Sequence, residues 1–184
     1  PLLIVGAGVQ GLAHLQAFAA GLGVREVQVA SRSAQSAQAL VDQARAMGLQ
    51  ATTVEDVEAA ARHCPLIVTC TPARAVVLRE APRSDAFISA VGAFTPQMVE
   101  LAPGLCQGLL QSGRVVVDTG DALHEAGDLL QAGIDVAALP TLEQVVREQW
   151  PRSDSPVLFK CCGWGGWDLA APRLAMRRAA LQNS

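Results

Sequence analysis

The opening run from Pro1 to His14 limits the fold of this chain more than any other stretch. Leu2–Val5 is a short apolar run that ends at Gly6-Ala7-Gly8-Val9-Gln10-Gly11 and passes straight into an Ala/Leu-rich helical pattern. Strand, glycine turn and helix follow one another without a break, in the spacing G-x-G-x-x-G. Gly6 allows the tight turn, Gly8 lets a pyrophosphate approach the backbone, and Gly11 lets helix and strand pack closely. The backbone N–H groups at the helix start then face the phosphates, helped by the positive end of the helix dipole. Glycine-rich turns also form for structural reasons alone. The legible strand before this one and the helix after it are what make it read as a dinucleotide-binding turn.

Strands and helices alternate beyond it. A helix is predicted over 9–20, a strand over 26–30, a helix over 34–47, a strand over 50–53, a helix over 54–62 and a fully apolar strand over 66–70. Then come a strand over 87–91, a Pro-interrupted helical region over 97–112 and a sixth strand over 114–118. This alternation predicts an α/β fold, a doubly wound parallel sheet of Rossmann type with strand order 3-2-1-4-5-6. Residues 1–150 form the NAD(P)-binding domain on this reading, and 151–184 a tail of different character. Short helical pieces are predicted at 124–131 and 141–148, a strand at 156–161 and a terminal amphipathic helix at 167–181. All three tryptophans fall at 150–167, so the tail carries large apolar surfaces that must be covered, either by its own sheet or by a domain outside this sequence.

Composition narrows the function. With 184 residues and 51% hydrophobic side chains, the chain can bury one substantial core. Its net charge of -3 and scattered basic residues argue against nucleic acid as a partner. No apolar run has membrane-spanning length and no signal sequence opens the chain, so a cytoplasmic protein without a membrane partner is expected. Five cysteines without C-x-x-C or Cys/His ligand spacing read as reduced, mostly buried thiols, with no metal site. Because the sequence opens directly on a strand, it reads as part of a longer protein whose second domain would hold the substrate.

The end of the second strand chooses between cofactors. An acid there would bond a ribose 2'-OH, but the strand runs into Ala30-Ser31-Arg32-Ser33, which offers a guanidinium and hydroxyls to a 2'-phosphate. NADPH is favoured and NADH remains possible. The alternative is that Arg32 is a solvated turn residue and the serines cap the next helix.

Several segments together resemble the ornithine cyclodeaminase/mu-crystallin family. They are Gly6-Ala7-Gly8-Val9-Gln10 with His14, Ser31-Arg32, Cys70-Thr71-Pro72, Ala90-Val91-Gly92 followed by Thr95-Pro96 and Glu100-Leu101, then Leu158-Phe159, Gly163 and Asp168-Leu169. The resemblance spans essentially the whole chain. It implies an N-terminal domain, absent here, that supplies dimer contacts and most substrate ligands, with the last helix returning to it and a homodimer at full length. It also implies that Cys70, Thr71 and Pro72 border the nicotinamide-side ribose, that Val91 and Gly92 flank the nicotinamide, and that Phe94 and Thr95 face the substrate. The family includes cyclodeaminases for ornithine or lysine, alanine dehydrogenases, cyclic imine (ketimine) reductases and an NADPH-dependent ligand binder. In the cyclodeaminases an aspartate two residues before the loop proline handles protons; counting back from Pro96, this sequence has Phe94. Phenylalanine cannot move a proton, whereas reduction of a preformed cyclic imine asks mainly for alignment with a hydride donor. Val91 to Pro96 is similar to the bacterial reductases of 1-pyrroline-2-carboxylate and 1-piperideine-2-carboxylate, so a small cyclic imino acid is the expected substrate. No catalytic residue can be named within this sequence.

The remaining polar residues read as structural. Lys160, the sole lysine, alternates outward on a half-buried strand. Asp168 opens the terminal helix, where an acid suits the dipole, and is a minor candidate for a polar group near the cleft. Asp118, at the end of its strand, is a similar minor candidate, with bonding of the following turn as the alternative. His14 is expected to pack or to bond helix to sheet, and His63 and His124 belong to no constellation.

Overall fold

Parallel pairing dominates the computed structural model, which describes residues 1–72 and 74–182. The order of elements is β1 (Leu2–Val5), α1 (Val9–Leu22), β2 (Glu26–Ala30), α2 (Ala34–Ala46), β3 (Gln50–Thr53), α3 (Val57–His63), β4 (Leu66–Thr69), β5 (Arg74–Leu78), β6 (Phe87–Ala90), β7 (Val99–Leu101), α4 (Pro103–Ser112), β8 (Arg114–Val117), α5 (Ala122–Glu125), α6 (Gly127–Gln131), α7 (Leu142–Arg147), β9 (Val157–Lys160) and α8 (Gly165–Gln182). A short 3-10 turn, Val136–Ala138, lies between α6 and α7. Seven strands form one sheet in the order β3-β2-β1-β4-β6-β9-β8, and β5 pairs with β7 in a separate two-stranded piece. Every pairing is parallel.

Alternation along β1 shows why the central strands are apolar throughout. Leu2 and Ile4 point into a layer with Leu15 of α1 and Leu40 of α2, while Leu3 and Val5 point into the opposite layer with Ala61 of α3, Leu105 of α4 and Leu129 of α6. Both faces are covered, so neither tolerates a polar alternation. Among the described residues, no helix is long and apolar enough to cross a membrane.

The doubly wound α/β fold is the one expected, with one correction to strand order. The predicted fifth and sixth strands, β6 and β8, are not neighbours, because β9 inserts between them, with Val157 opposite both Phe87 and Arg114. The strand grouped with the tail thus lies inside the main sheet.

Other boundaries moved for local reasons. Helix α3 begins at Val57 because the Asp56 carboxylate accepts the Ala59 N–H at 2.9 Å and caps it there. The predicted helix at 97–112 is instead β7 followed by α4, whose start is set by Pro103: Ala102 before it is extended (φ -65°, ψ 142°). The piece at 124–131 is two short helices broken at Ala126. Thr141 and Gln144 form a capping box at the start of α7. Helix α8 is not amphipathic: Trp167 and Leu174 lie on one side and Leu169 and Met176 on the other, and all four are exposed.

Candidate functional site

The glycine turn has the three geometries that its spacing demands. Gly6 has φ +118°, and a Cβ there would lie 2.6 Å from the Cys70 carbonyl oxygen. At Gly11 a Cβ would overlap the Gly6 carbonyl oxygen, so α1 packs on the turn backbone to backbone. Around Gly8 the space is open, with nothing within 4 Å of an added Cβ. Gly8 is also the N-cap of α1, with no side chain capping the helix and no acid in its first turn. The free N–H groups and positive end of a 14-residue helix are therefore open to the cleft, an arrangement that fits a pyrophosphate.

Two cavities meet above the carboxyl ends of β1 and β4, where the strand order reverses. One, of about 870 Å3, runs toward β2 and is lined by Gly6, Gly8, Ser31, Arg32, Ser33 and Thr53. The other, of about 680 Å3, runs toward β6 and β9 and is lined by Val9, Gln10, Val91, Gly92, Phe94 and Trp164, with His14 and Asp168 also on its wall. Cys70, Thr71 and Pro72 border both. Of the predicted site residues, Gly11 is buried beneath the turn and Thr95 is not on either wall; the Thr95 carbonyl accepts the Met98 N–H at 3.0 Å. Phe94 is 53% exposed and stands in the mouth of the second cavity, not in the core.

At the β2 end, Ser33 caps α2 by accepting the Ser36 N–H at 3.2 Å. Ser31 and Arg32 face the first cavity, and no ion pair engages Arg32 among the described residues.

Beneath the second cavity lies a buried polar circuit. The Glu100 carboxylate, from β7, is fully buried and accepts four hydrogen bonds. Its Oε1 takes the Thr71 N–H (2.7 Å) and Thr71 Oγ1 (2.8 Å), and its Oε2 takes the Gly92 N–H (2.7 Å) and Thr69 Oγ1 (3.0 Å). Burial pushes the Glu100 carboxyl up from its ordinary value, opposed by the Thr71 donors, the Lys160 charge and Thr69. Burial, with the nearby Glu100 charge, holds the Cys70 thiol at about 12, so it is not a nucleophile. Asp128 of α6 supports the acid: its Oδ1 accepts the Glu100 N–H (2.6 Å) and the Leu101 N–H (2.8 Å). Its Oδ2 accepts no well-formed hydrogen bond, and its charge is met by the Lys160 ammonium 3.1 Å away.

Lys160 corrects the expectation of an outward lysine. It is wholly buried, pairs with Asp128 and donates to the Ala90 carbonyl at 3.3 Å. The strand does alternate, with Val157 and Phe159 half-buried and Leu158 and Lys160 fully buried, so the lysine lies on the inner face beside Leu158 and not on the outer one. His14 packs, with its ring centroid 6.4 Å from that of Phe18, and its Nδ1 bonds the Gln10 carbonyl one turn back at 2.8 Å, within its own helix and not to the sheet. Asp118 bonds the Thr119 N–H and reaches across to the N–H groups of Cys162 and Gly163, both at 2.7 Å, thereby fixing the exit from β9. Sequence reasoning missed the Glu100, Asp128 and Lys160 circuit; the signal was three ionisable residues next to apolar runs.

Comparison with known proteins follows the same lines. A sequence model of the ornithine cyclodeaminase/mu-crystallin family matches residues 1–181. The chain is similar to Delta(1)-pyrroline-2-carboxylate reductase 2 of Burkholderia ambifaria, 36% identical over 174 residues, which are 95% of this chain and 54% of that protein. It is equally similar to the Delta(1)-pyrroline-2-carboxylate/Delta(1)-piperideine-2-carboxylate reductase of Azospirillum brasilense, 36% identical over 183 residues, 97% of this chain and 57% of that protein. The chain spans about half the length of the curated relatives it matches. Among solved structures, the Thermococcus litoralis Delta(1)-pyrroline-2-carboxylate reductase, in complex with NADH and L-proline, superposes with a TM-score of 0.88 at 23% identity, over 99% of this chain and 58% of that one. That likeness establishes the fold.

Proposed function

The chain belongs to the ornithine cyclodeaminase/mu-crystallin family, and from that premise we propose that it carries the dinucleotide-binding unit of an NADPH-dependent reductase of small cyclic imino acids. The observation that carries the reading is Phe94, an exposed apolar ring at the mouth of the second cavity, where a cyclodeaminase has its proton-handling aspartate. A carboxylate there would serve deamination. A phenyl ring serves instead to line the pocket against a five- or six-membered imine and to keep water out.

When bound, a reduced nicotinamide supplies the hydride that converts the protonated C=N to an amine, adding hydride to carbon and leaving the proton on nitrogen. The turn at Gly6 to Gly11 would hold the pyrophosphate, and Ser31 and Arg32 would hold the 2'-phosphate of NADPH, with no ion pair on Arg32 among the described residues and no acid at the end of β2 to repel it. Cys70 to Pro72 and Val91 to Gly92 border the nicotinamide side. Groups that bind the substrate carboxylate belong to sequence outside these residues, and the exposed tryptophan, leucine and methionine surfaces of α8 pack against that sequence in a homodimer.

The test is loss of reduced-nicotinamide absorbance with 1-pyrroline-2-carboxylate and 1-piperideine-2-carboxylate, beside ornithine with NAD, using this chain and any longer polypeptide that contains it. Imine turnover without ammonia release from ornithine supports the proposal; ammonia release refutes it. Tight NADPH binding with no turnover in the longer polypeptide marks a non-catalytic binder instead.

A further inference from the structure

We infer that Glu100 is the positioning residue for the nicotinamide half of the cleft: its carboxylate ties the loop after β4 to the loop after β6 and sets the gap between them. The inference rests on the dinucleotide reading above and adds to it a residue that touches no ligand.

A carboxylate is an acceptor only, and here both of its oxygens are filled by donors from two different loops, two from Thr71 and one each from Thr69 and Gly92. The loops themselves are at closest approach. A Cβ on Gly92 would overlap both the Thr71 carbonyl oxygen and Glu100 Oε1, so no slack exists to absorb a displaced carboxylate. Glu100 is in turn not free to move. Strand β7 lies outside the main sheet, and Asp128 holds its backbone by two N–H bonds. Asp128 is anchored by Lys160, and Lys160 is bonded to Ala90 at the end of β6. The circuit therefore returns to the strand whose loop it clamps. The glycine turn and Ser31 to Ser33, which frame the other half of the cleft, make no bond to this carboxylate among the described residues; the turn meets the clamped loop through Cys70, whose thiol donates to the Gly6 carbonyl at 3.2 Å.

This separation predicts an asymmetric effect. In Glu100→Gln one oxygen becomes an NH2 group, and either orientation sets it against a backbone N–H, that of Thr71 or that of Gly92. One loop must then draw away. Binding to the 184-residue chain is measured for NADPH and NADH and for their adenine halves, 2',5'-ADP and 5'-AMP. Glu100→Gln is expected to weaken the whole dinucleotides by roughly tenfold or more, to lower the nicotinamide fluorescence gained on binding, and to leave the adenine halves within about twofold. Equal loss for whole and half ligands would mean that Glu100 merely maintains the fold, and unchanged binding of both would mean it sets nothing; either overturns the inference. Failure of the unsubstituted chain to bind any of the four ligands overturns the dinucleotide reading itself. If near-UV circular dichroism shows Glu100→Gln to be unfolded, Thr69→Val decides the matter. It removes one donor from Oε2 without touching a backbone bond, and a selective loss of about threefold is expected, with no loss or equal loss refuting the idea.

Discussion

Replacing Lys160 by methionine shortens the unbranched side chain by one atom and removes its charge at a site with no access to water. Lys160 and Asp128 are both 0% exposed, with Nζ and Oδ2 3.1 Å apart. At an effective dielectric of about 20, that separation corresponds to a gross attraction of about 5 kcal/mol. The net cost of breaking a buried pair by removing one partner is about 3–5 kcal/mol, because the remaining charge stays desolvated. Asp128 Oδ1 keeps its two backbone donors and the Ala90 carbonyl keeps the Cys161 N–H, so the lower part of that range, about 3–4 kcal/mol, is expected. For a chain of this size each kcal/mol moves Tm by about 2–4 °C, giving a fall of roughly 6–16 °C. Thermal and urea unfolding followed by circular dichroism measure it. The mechanism is separated from lost packing by Lys160→Met combined with Asp128→Asn, in which the amide oxygen still accepts from the Glu100 and Leu101 N–H groups but neither member of the pair is charged. That double variant should recover about half of the loss or more. A single-variant cost below about 1 kcal/mol, or a double variant no more stable than the single one, would refute the reasoning.

Three further outcomes are expected. Arg32→Ala should weaken NADPH by about tenfold or more and leave NADH nearly unchanged in a fluorescence titration, since a guanidinium facing a phosphate is lost; equal loss for both would remove Arg32 from cofactor choice. Gly11→Ala places a Cβ against the Gly6 carbonyl, so α1 must lift from the turn; a stability loss of about 2 kcal/mol or more in urea unfolding, with weaker binding of every nucleotide, is expected. Burial holds the Cys106 thiol at about 12 against 9.0 for an ordinary thiol, so the unfolded chain loses that proton first and stability falls as pH rises from 9.0 toward 12. The drop in urea midpoint between about pH 8 and about pH 10 should therefore be larger in the parent chain than in Cys106→Ala.

Much of this architecture is written locally. The glycine spacing, the apolar runs of β1, β4 and β6, and the Ser33 cap each report a short-range requirement, and the strand order from β3 to β6 follows from the βαβ rule. Phe94 could be placed near the cleft because its loop follows a strand at the carboxyl edge of the sheet. What failed depends on partners distant in sequence. The insertion of β9 between β6 and β8 is a choice among edges that the pattern of 156–161 does not encode. The three residues of β7 are too few to show a period, so Glu100 was absorbed into a helix and its burial went unseen. Asp128 falls inside the predicted helical piece at 124–131, where nothing local marks an acid as buried. Lys160 shares the inner face of β9 with Leu158, and the four-residue alternation does not say which of its two faces is the inner one; only the position of Asp128, distant in sequence, makes a buried ammonium tenable there.

The insertion of β9 also governs when the molecule can assemble. Lys160 and Ala90, neighbours across the sheet, are 70 residues apart in sequence. Among the described residues β8 joins the main sheet through β9, so a chain emerging from the ribosome can lay down β1 to β4 and β6 in turn but must hold β8, bridged at Val117 to Thr141, off that sheet until the segment after Trp150 is out. A nascent chain arrested before β9 would expose the edges of β6 and β8, and the second cavity, whose far wall includes Cys161 to Trp164, would reach its final shape only after β9 has been made.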